Sequence, residues 1–191
     1  MRVAVPLRTA WRLINHGPTT LVATAAGERR NVMAAAWVMP LDLDPPKIAM
    51  VIAAGTLTRE LLETSGETVV SLPTATMVDL TYAVGSASGA AVDKFAAFGI
   101  GTSPASRVLA PLIEGCAAWL ECRVVPEPRL AEGYDLFIAE VVAAWADDAS
   151  WDGATWRFPD DASRTIHHMT KGTFLMSGER VTGSAGRAAS R

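Results

Sequence analysis

Cysteine, histidine and charge are all scarce in this sequence of 191 residues. Only two cysteines occur, Cys116 and Cys122, with three histidines, and charged residues make up 19% of the chain. Two cysteines cannot form the disulfide framework of a small secreted domain, and no Cys-x-x-Cys or Cys/His spacing predicts a zinc site. We therefore expect both thiols to be free and buried.

Long apolar runs and clusters of basic residues are also missing. No run approaches the roughly 18 apolar residues of a membrane-spanning helix, and the N-terminal segment lacks the hydrophobic core of a signal peptide. The net charge of −3 includes no stripe of Lys and Arg. These features argue against a membrane or a nucleic acid as partner and predict a cytoplasmic protein.

The common motifs of nucleotide and metal enzymes are absent from the sequence. There is no Gly-x-Gly-x-x-Gly after the first predicted strand, no Gly-x-x-x-x-Gly-Lys, no His-Glu-x-x-His and no Gly-x-Ser-x-Gly. The adjacent His167 and His168 would face opposite sides of a strand, so we do not expect them to bind one metal ion. If the protein is an enzyme, its chemistry is expected to come from a cofactor.

Short strand signals dominate what is present. Half of the residues are apolar, which is enough for a sizeable core. Apolar and β-branched stretches bounded by turn residues predict strands at 19–26, 31–38, 47–54, 68–73, 116–128 and 134–147. A short strand is predicted at 153–158, and 165–179 fits either a final strand pair or an extended arm. Helices are predicted at 56–67, with Thr58 as its cap, at 75–85 and at 93–98.

Closely spaced strands with few helices between them predict a mainly β protein. They favour an antiparallel β-barrel with added helices over a parallel sheet of βαβ units. We expect a single domain over residues 1–180, because neither a repeat nor a second domain is visible. The segment 181–191 is small and polar and is expected to be disordered.

An ordered set of segments resembles a known family. GPTTLVAT, GERRNVMAAAWVMPLDLDPPKIAMVI and TLTRELLETSGETVVSLP follow one another between Gly17 and Pro73, and VDKF, CAAWLECRV and DLFIAEV come later. Each piece is weak alone, but together they resemble the flavin reductase-like, FMN-binding split-barrel family. That family includes flavoredoxins and the flavin reductase components of two-component monooxygenases. The resemblance implies a split β-barrel with antiparallel, Greek-key-like strands.

The residue types in these segments suit a flavin. Alanines on a strand let backbone N–H and C=O groups approach the polar edge of a flat ring, and Trp37 supplies apolar area that can shield the ring from water. Thr56 and Thr58 offer hydroxyls to a phosphate, beside the free N–H groups of the helix that starts there. Arg59 and Lys94 can add positive charge.

Each of these residues also has an ordinary structural explanation. Asn31 tolerates the backbone of a turn, Trp37 fits a core, Thr58 fits a helix cap and Lys94 fits a solvated surface. Both interpretations stay open on the sequence alone.

The resemblance implies an activity and a site. It implies an NAD(P)H-dependent flavin reductase that takes electrons from NADH or NADPH through FMN to an acceptor or a partner monooxygenase. The alternative is a flavoredoxin-like electron-transfer protein that NAD(P)H does not reduce. It further implies a homodimer with FMN near the subunit interface, and neither a metal nor a catalytic acid or base. Carried over by position, FMN would be held by Asn31, Met33, Ala34, Ala35, Ala36, Trp37, Thr56, Thr58, Lys94, His167 and His168.

Two departures from the family pattern concern the electron donor. Many reductases of this family carry Gly-Asp-His before the strand that here reads DLFIAEV, whereas this chain has Tyr134 and Asp135 there. Met33 stands where Thr or Ser often occurs. Both departures bear on nicotinamide recognition more than on flavin binding.

Overall fold

The computed structural model describes residues 1–184 and is built around one large antiparallel sheet. In this part of the chain the strands are β1 (Arg2–Ala4), β2 (Thr20–Ala26), β3 (Arg29–Ala35), β4 (Val38–Leu43), β5 (Pro46–Val51), β6 (Glu67–Leu72), β7 (Thr102–Ser103), β8 (Leu112–Ile113), β9 (Ala118–Val125), β10 (Leu136–Asp147), β11 (Ile166–Thr170) and β12 (Thr173–Met176). The α-helices are α1 (Leu7–Ala10), α2 (Leu57–Ser65), α3 (Val78–Ser86), α4 (Lys94–Ala97) and α5 (Pro128–Tyr134), with 3-10 turns at Trp11–Leu13 and Ala75–Met77.

The eight-stranded sheet is open. Its order is β3-β2-β6-β9-β10-β5-β4, and β1 pairs with the far end of β10. The prediction of a mainly β, antiparallel protein is confirmed; where a split β-barrel is predicted, the described residues form an open sheet that does not close into a barrel. At β3, helices α3 and α4 pack along the outer edge of the strand, in the place that a closing strand would occupy.

Apolar side chains pack on both faces of this sheet. Along β2, Val22 belongs to one buried cluster, whereas Leu21 and Ala23 belong to the other. This alternation is expected of a strand that is covered on both sides. Cys122 lies in the first cluster and Cys116 in the second, and both are free and buried as predicted.

The predicted elements recur with shifted ends. α2 begins at Leu57 and is capped by Thr56, whose hydroxyl accepts a hydrogen bond from the Arg59 N–H at 3.3 Å. The prediction that Thr58 caps this helix is therefore wrong, because Thr58 lies inside its first turn. Asp44 and Pro45 separate β4 from β5, which begins at Pro46, and the Asp44–Pro45 peptide bond is cis.

The C-terminal part decides one open choice and corrects one prediction. Residues 165–179 contain the β11–β12 hairpin, so the strand pair is confirmed. Residues 153–158 contribute only an isolated bridge between Trp151 and Trp156, so a strand there is not observed. Residues 181–184 are exposed and have no regular structure; the rest of the predicted disordered tail, 185–191, lies outside the described residues. Within residues 1–184, no helix combines the length and the hydrophobicity that crossing a membrane would need.

Glu121 anchors the loop that precedes β8. Its carboxylate is fully buried on β9. It accepts hydrogen bonds at 2.6–3.0 Å from the Ser106 and Arg107 N–H groups, the Ser106 hydroxyl and the Trp145 indole. Burial by itself opposes ionisation, but the donors outweigh it and hold the pKa of Glu121 below its usual range.

We expect Glu121→Gln to lower the free energy of unfolding by about 2–4 kcal/mol near neutral pH, because an amide loses the charge and directs its own N–H donors at other donors. A lowered folded-state pKa means that this stabilisation is present above the unfolded value of about 4.3 and is lost as the pH falls through the folded value. Urea unfolding at several pH values measures the difference.

The control is Glu114→Gln. Glu114 is exposed, and its carboxylate accepts a hydrogen bond from the Ser103 hydroxyl. This substitution should lower the free energy of unfolding by less than about 0.5 kcal/mol. Equal losses for the two variants would contradict this account of Glu121.

Candidate functional site

A pocket of about 200 Å³ lies along the outer edge of β3. Ala34, Ala35 and Ala36 form one side, α3 forms a second side, and the β11–β12 hairpin forms a third. The run of alanines that ends β3 therefore faces a concave site.

The edge of β3 offers backbone groups to this pocket. The Lys94 ammonium donates a hydrogen bond to Val32 O at 2.9 Å, so this carbonyl points away from β2. Backbone groups of a strand repeat their direction every second residue. The N–H and C=O of Ala34 therefore point the same way, toward the pocket.

Small residues let α3 approach β3 closely. A Cβ on Gly85 would lie 3.2 Å from the Cβ of Ala34, which is tighter than an ordinary contact. Lys94 fastens the same two elements together, because its ammonium also donates to Val84 O at 2.7 Å. Burial lowers the pKa of Lys94.

Thr81 places an unpaired hydroxyl at the pocket. The residue is fully buried on α3, lines the pocket and has no hydrogen-bond partner among the described residues. A buried hydroxyl without a partner costs about 1–3 kcal/mol. A ligand with a polar edge, seated against Ala34, would satisfy both this hydroxyl and the free strand edge.

The β11–β12 hairpin is fixed over the pocket by hydrogen bonds to the chain before β2. Thr19 N–H donates to Ile166 O, and the Thr19 hydroxyl accepts from the His168 N–H, both at 2.8 Å. His168 lines the pocket. His167 faces the other way, donating to Gly17 O at 2.9 Å, with its ring 5.6 Å from that of His16. The prediction that the two neighbours face opposite sides is confirmed.

A second hollow, of about 390 Å³, surrounds the N-terminus of α2. It includes Thr56, Leu57 and Ala90. Ser86 lines the first pocket and Ala90 lines the second. Because four residues of chain span at most about 14 Å, the two hollows lie close together.

The N–H groups of Leu57 and Thr58 have no acceptor within the helix, and the positive end of the helix dipole lies beside them. Glu60 and Glu63 also line this hollow, but their carboxylates are paired with Arg29 and Arg59, so the helix N-terminus favours an anion here.

Asn31 and Thr58 form a buried pair between the two hollows. The Asn31 amide donates to the Thr58 hydroxyl at 2.8 Å, and both residues are buried. A Cβ on Gly89 would overlap the Asn31 side chain, so the loop between α3 and α4 rests directly on it. The pair fixes β3, α2 and this loop relative to one another.

The residues predicted from the sequence fall into separate groups. Ala34, Ala35, Ala36 and His168 line the β3 pocket, whereas Asn31 and Thr58 lie buried beside it. Thr56 lines the second hollow, but its hydroxyl already donates to Ala53 O. The others lie outside both hollows: Met33 against the main core, Trp37 at 73% exposure, Lys94 beneath the strand edge and His167 behind the hairpin.

Sequence reasoning missed the contribution of α3. Thr81 and Gly85 line the pocket with Tyr82 and Ser86. A signal was present, because Thr81 falls at helical spacing between Met77 and Val84 on the apolar stripe. A polar residue on such a stripe needs a partner. The hairpin residues Lys171 and Phe174 carried no comparable signal.

A third hollow holds none of the predicted residues. It measures about 400 Å³ and lies between α2, α5 and the adjoining ends of β9 and β10. Beside it, Arg59 pairs with Glu63 at 2.8 Å and with Asp135 at the end of α5, so Arg59 is already occupied. Tyr134 is 74% exposed, and neither Tyr134 nor Asp135 lines the β3 pocket.

Comparison with known families identifies this arrangement. The family model described as flavin reductase like domain matches residues 13–158. This chain belongs to that family. The match contains the β3 edge, α2, α3 and α4; the β11–β12 hairpin follows it.

Individual family members agree closely with this chain. Escherichia coli YddH is 43% identical over 94% of this chain and 97% of its own length. A crystal structure described as an FMN-binding domain of a flavin reductases-like enzyme from Shewanella baltica is 40% identical, with a TM-score of 0.93 over 96% of this chain and 98% of that one. An FMN-binding protein from Thermus thermophilus, crystallised with p-hydroxybenzaldehyde, is 25% identical, with a TM-score of 0.72 over 88% of this chain and 90% of that one.

Proposed function

We propose that this flavin reductase-like domain binds FMN at the β3 pocket and acts as an NAD(P)H-dependent flavin reductase. Electrons would pass through FMN to an acceptor or a partner monooxygenase. The observation that carries the proposal is the buried, unpaired hydroxyl of Thr81, a residue that lines the β3 pocket together with Ala34. The Shewanella baltica relative, described as FMN-binding and 40% identical, supports it. A cytoplasmic location stays a prediction of the sequence.

The ring of FMN would lie against the alanines of β3. The N–H and C=O of Ala34 would pair with its polar edge, and Thr81 would gain the partner that it lacks. Tyr82, His168 and Phe174 would border the ring at the mouth of the pocket. Bound FMN supplies a hydride acceptor, so these side chains have only to bind and orient it.

The phosphate would lie at the N-terminus of α2. The N–H groups of Leu57 and Thr58 would donate to it, with the helix dipole favouring its charge. Lys94 would act indirectly as a positioning residue, because its ammonium is engaged with Val32 O and Val84 O. Asn31 would likewise act through Thr58.

We further propose a homodimer that completes the FMN site. Across β4, β5, β10 and β9, one row of neighbouring residues is entirely apolar: Met39, Ala49, Ile138 and Val125. Trp37 and Leu41, on either side of Met39 in the chain, are also exposed apolar side chains, and exposed apolar patches mark interaction sites. A pocket of about 200 Å³ is also smaller than the roughly 300–1,000 Å³ of ordinary ligand sites, which favours a contribution from a second copy.

One observation favours a second candidate, a flavoredoxin-like protein that NAD(P)H does not reduce. The segment with Tyr134 and Asp135 lies away from the β3 pocket and supplies no imidazole to it. The imidazole at the pocket comes instead from His168 on β11. The two candidates differ in one observable, the reduction of bound FMN by a nicotinamide donor.

We expect Thr81→Val to weaken FMN binding by about 5- to 100-fold, because the ring loses a buried hydrogen bond. The same substitution should leave the ligand-free protein as stable or slightly more stable, since it removes an unpaired buried hydroxyl. Flavin fluorescence titration and thermal unfolding measure the two quantities.

The matched control is Thr24→Val. Thr24 also carries a buried hydroxyl without a partner, but it does not line the pocket. The Thr24→Val protein should be as stable as the wild type or slightly more stable, and its FMN affinity should be unchanged. Equal FMN affinities for the wild type and Thr81→Val would overturn the placement of the ring.

A further inference from the structure

The tip of the β11–β12 hairpin carries a cation at the mouth of the β3 pocket. Lys171 lines the pocket and is exposed. None of the residues that line the pocket is acidic. Among residues 1–184, no carboxylate lies within 4.0 Å of the Lys171 ammonium. The positive charge therefore faces the pocket without a protein counter-ion.

The hairpin holds this lysine in an uncommon backbone conformation. Lys171 has φ of +49°, a region that glycine and asparagine adopt far more readily than lysine. The His168 ring donates to Lys171 O at 3.0 Å. Next in the chain, Gly172 rests on the Tyr82 ring, where an added Cβ would lie at 3.5 Å. The turn is thus fixed over α3, and a lysine occupies it although the backbone alone would favour another residue.

Aromatic rings surround the same mouth. Phe174 and His168 line it from the hairpin, with their rings 5.3 Å apart edge to face, and Tyr82 lines it from α3. Tyr82 is 46% exposed. Flat apolar walls with one cation suit a planar aromatic molecule that carries a negative group.

We propose that the mouth of this pocket binds a planar aromatic carboxylate, with Lys171 pairing with its carboxylate. The proposal rests on the proposed function, because the bound molecule would lie beside FMN seated deeper against β3. The phosphate of FMN is the other negative group that could pair with Lys171. We place the FMN phosphate instead in the hollow at the α2 N-terminus. That hollow lies at Ala90, at the opposite end of the loop that leaves the β3 pocket at Ser86.

The test compares two probes of the same shape that differ in charge, p-hydroxybenzoate and its neutral amide, p-hydroxybenzamide. Isothermal calorimetry measures the binding of each to the full-length protein, with and without FMN. We expect the wild type to bind the carboxylate about five- to tenfold more tightly, as for an accessible ion pair. Lys171→Met should abolish this preference and Lys171→Arg should restore most of it. Lys47→Met, the same change on β5 away from the pocket, should leave the preference intact.

Two results would overturn the proposal. One is equal binding of the two probes by the wild type, or a preference that survives Lys171→Met. The other is a Lys171→Met variant that binds FMN more weakly but riboflavin normally, because Lys171 would then hold the FMN phosphate. Calorimetry without FMN keeps this test separate from the proposed function. If FMN fails to bind at all, the flavin assignment fails, and the probe preference still decides the role of Lys171.

Discussion

Replacing Ala36 by tryptophan should weaken FMN binding by at least about 100-fold, equivalent to about 2.7 kcal/mol. Ala36 lines the β3 pocket and is exposed. A large side chain there would fill the space assigned to the flavin ring without entering the core. The thermal unfolding midpoint of the ligand-free protein should therefore stay within a few degrees of the wild type. Flavin fluorescence titration and thermal unfolding of the same preparation give both numbers.

Ala97→Trp is the matched control for this variant. Ala97 is also exposed, and it lies on α4 outside the β3 pocket. It should bind FMN as tightly as the wild type. An Ala36→Trp protein that is folded and retains wild-type FMN affinity would exclude the pocket as the flavin site.

Placing a charge on the apolar face of β4 should separate the subunits and release FMN. Met39 is 55% exposed and begins the row that continues through Ala49 and Ile138 to Val125. Met39→Lys would bury an unpaired charge in a two-fold interface, on both subunits at once. We expect sedimentation to change from a dimer to the monomer mass of 20.2 kDa. The affinity for FMN should fall by about tenfold or more, because part of the site is lost.

The comparison variant is Leu109→Lys. Leu109 is 69% exposed and does not belong to the row. The Leu109→Lys protein should remain dimeric and should bind FMN as tightly as the wild type. A wild-type protein that sediments as a monomer, or a Met39→Lys protein that stays dimeric with full FMN affinity, would contradict the proposed interface.

The sequence predicts the local part of this site and misses the part that depends on contacts between distant segments. The alanines of β3 line the pocket because a small-residue strand leaves its backbone accessible, and that property is local. Lys171 and Phe174 reach the same pocket from the far end of the chain through the Thr19 hydrogen bonds to the hairpin, and His168 beside them is predicted only through the family resemblance. Strand pairing over such a distance leaves no periodic pattern in the residues themselves.

Lys94 shows why a charged residue within a matching motif is hard to interpret. Its segment, VDKF, suggests a cation for a phosphate. In the fold its ammonium is buried and donates to two backbone carbonyls, joining the edge of β3 to α3. Whether a lysine faces a ligand or a carbonyl depends on the tertiary placement of α4. In the same way, the sequence does not show that helices pack at the edge of β3, where a closing strand would fit.

The measurement that tests the account most directly is the visible absorption spectrum of the protein with bound FMN, recorded without oxygen before and after NADH or NADPH is added. The account predicts a flavin band that co-elutes with the protein and bleaches with one of the two donors. Bleaching by both would also agree with it. A band that survives both donors would contradict the reductase assignment and leave the electron-transfer protein. Absence of any bound flavin after incubation with FMN would contradict the site itself.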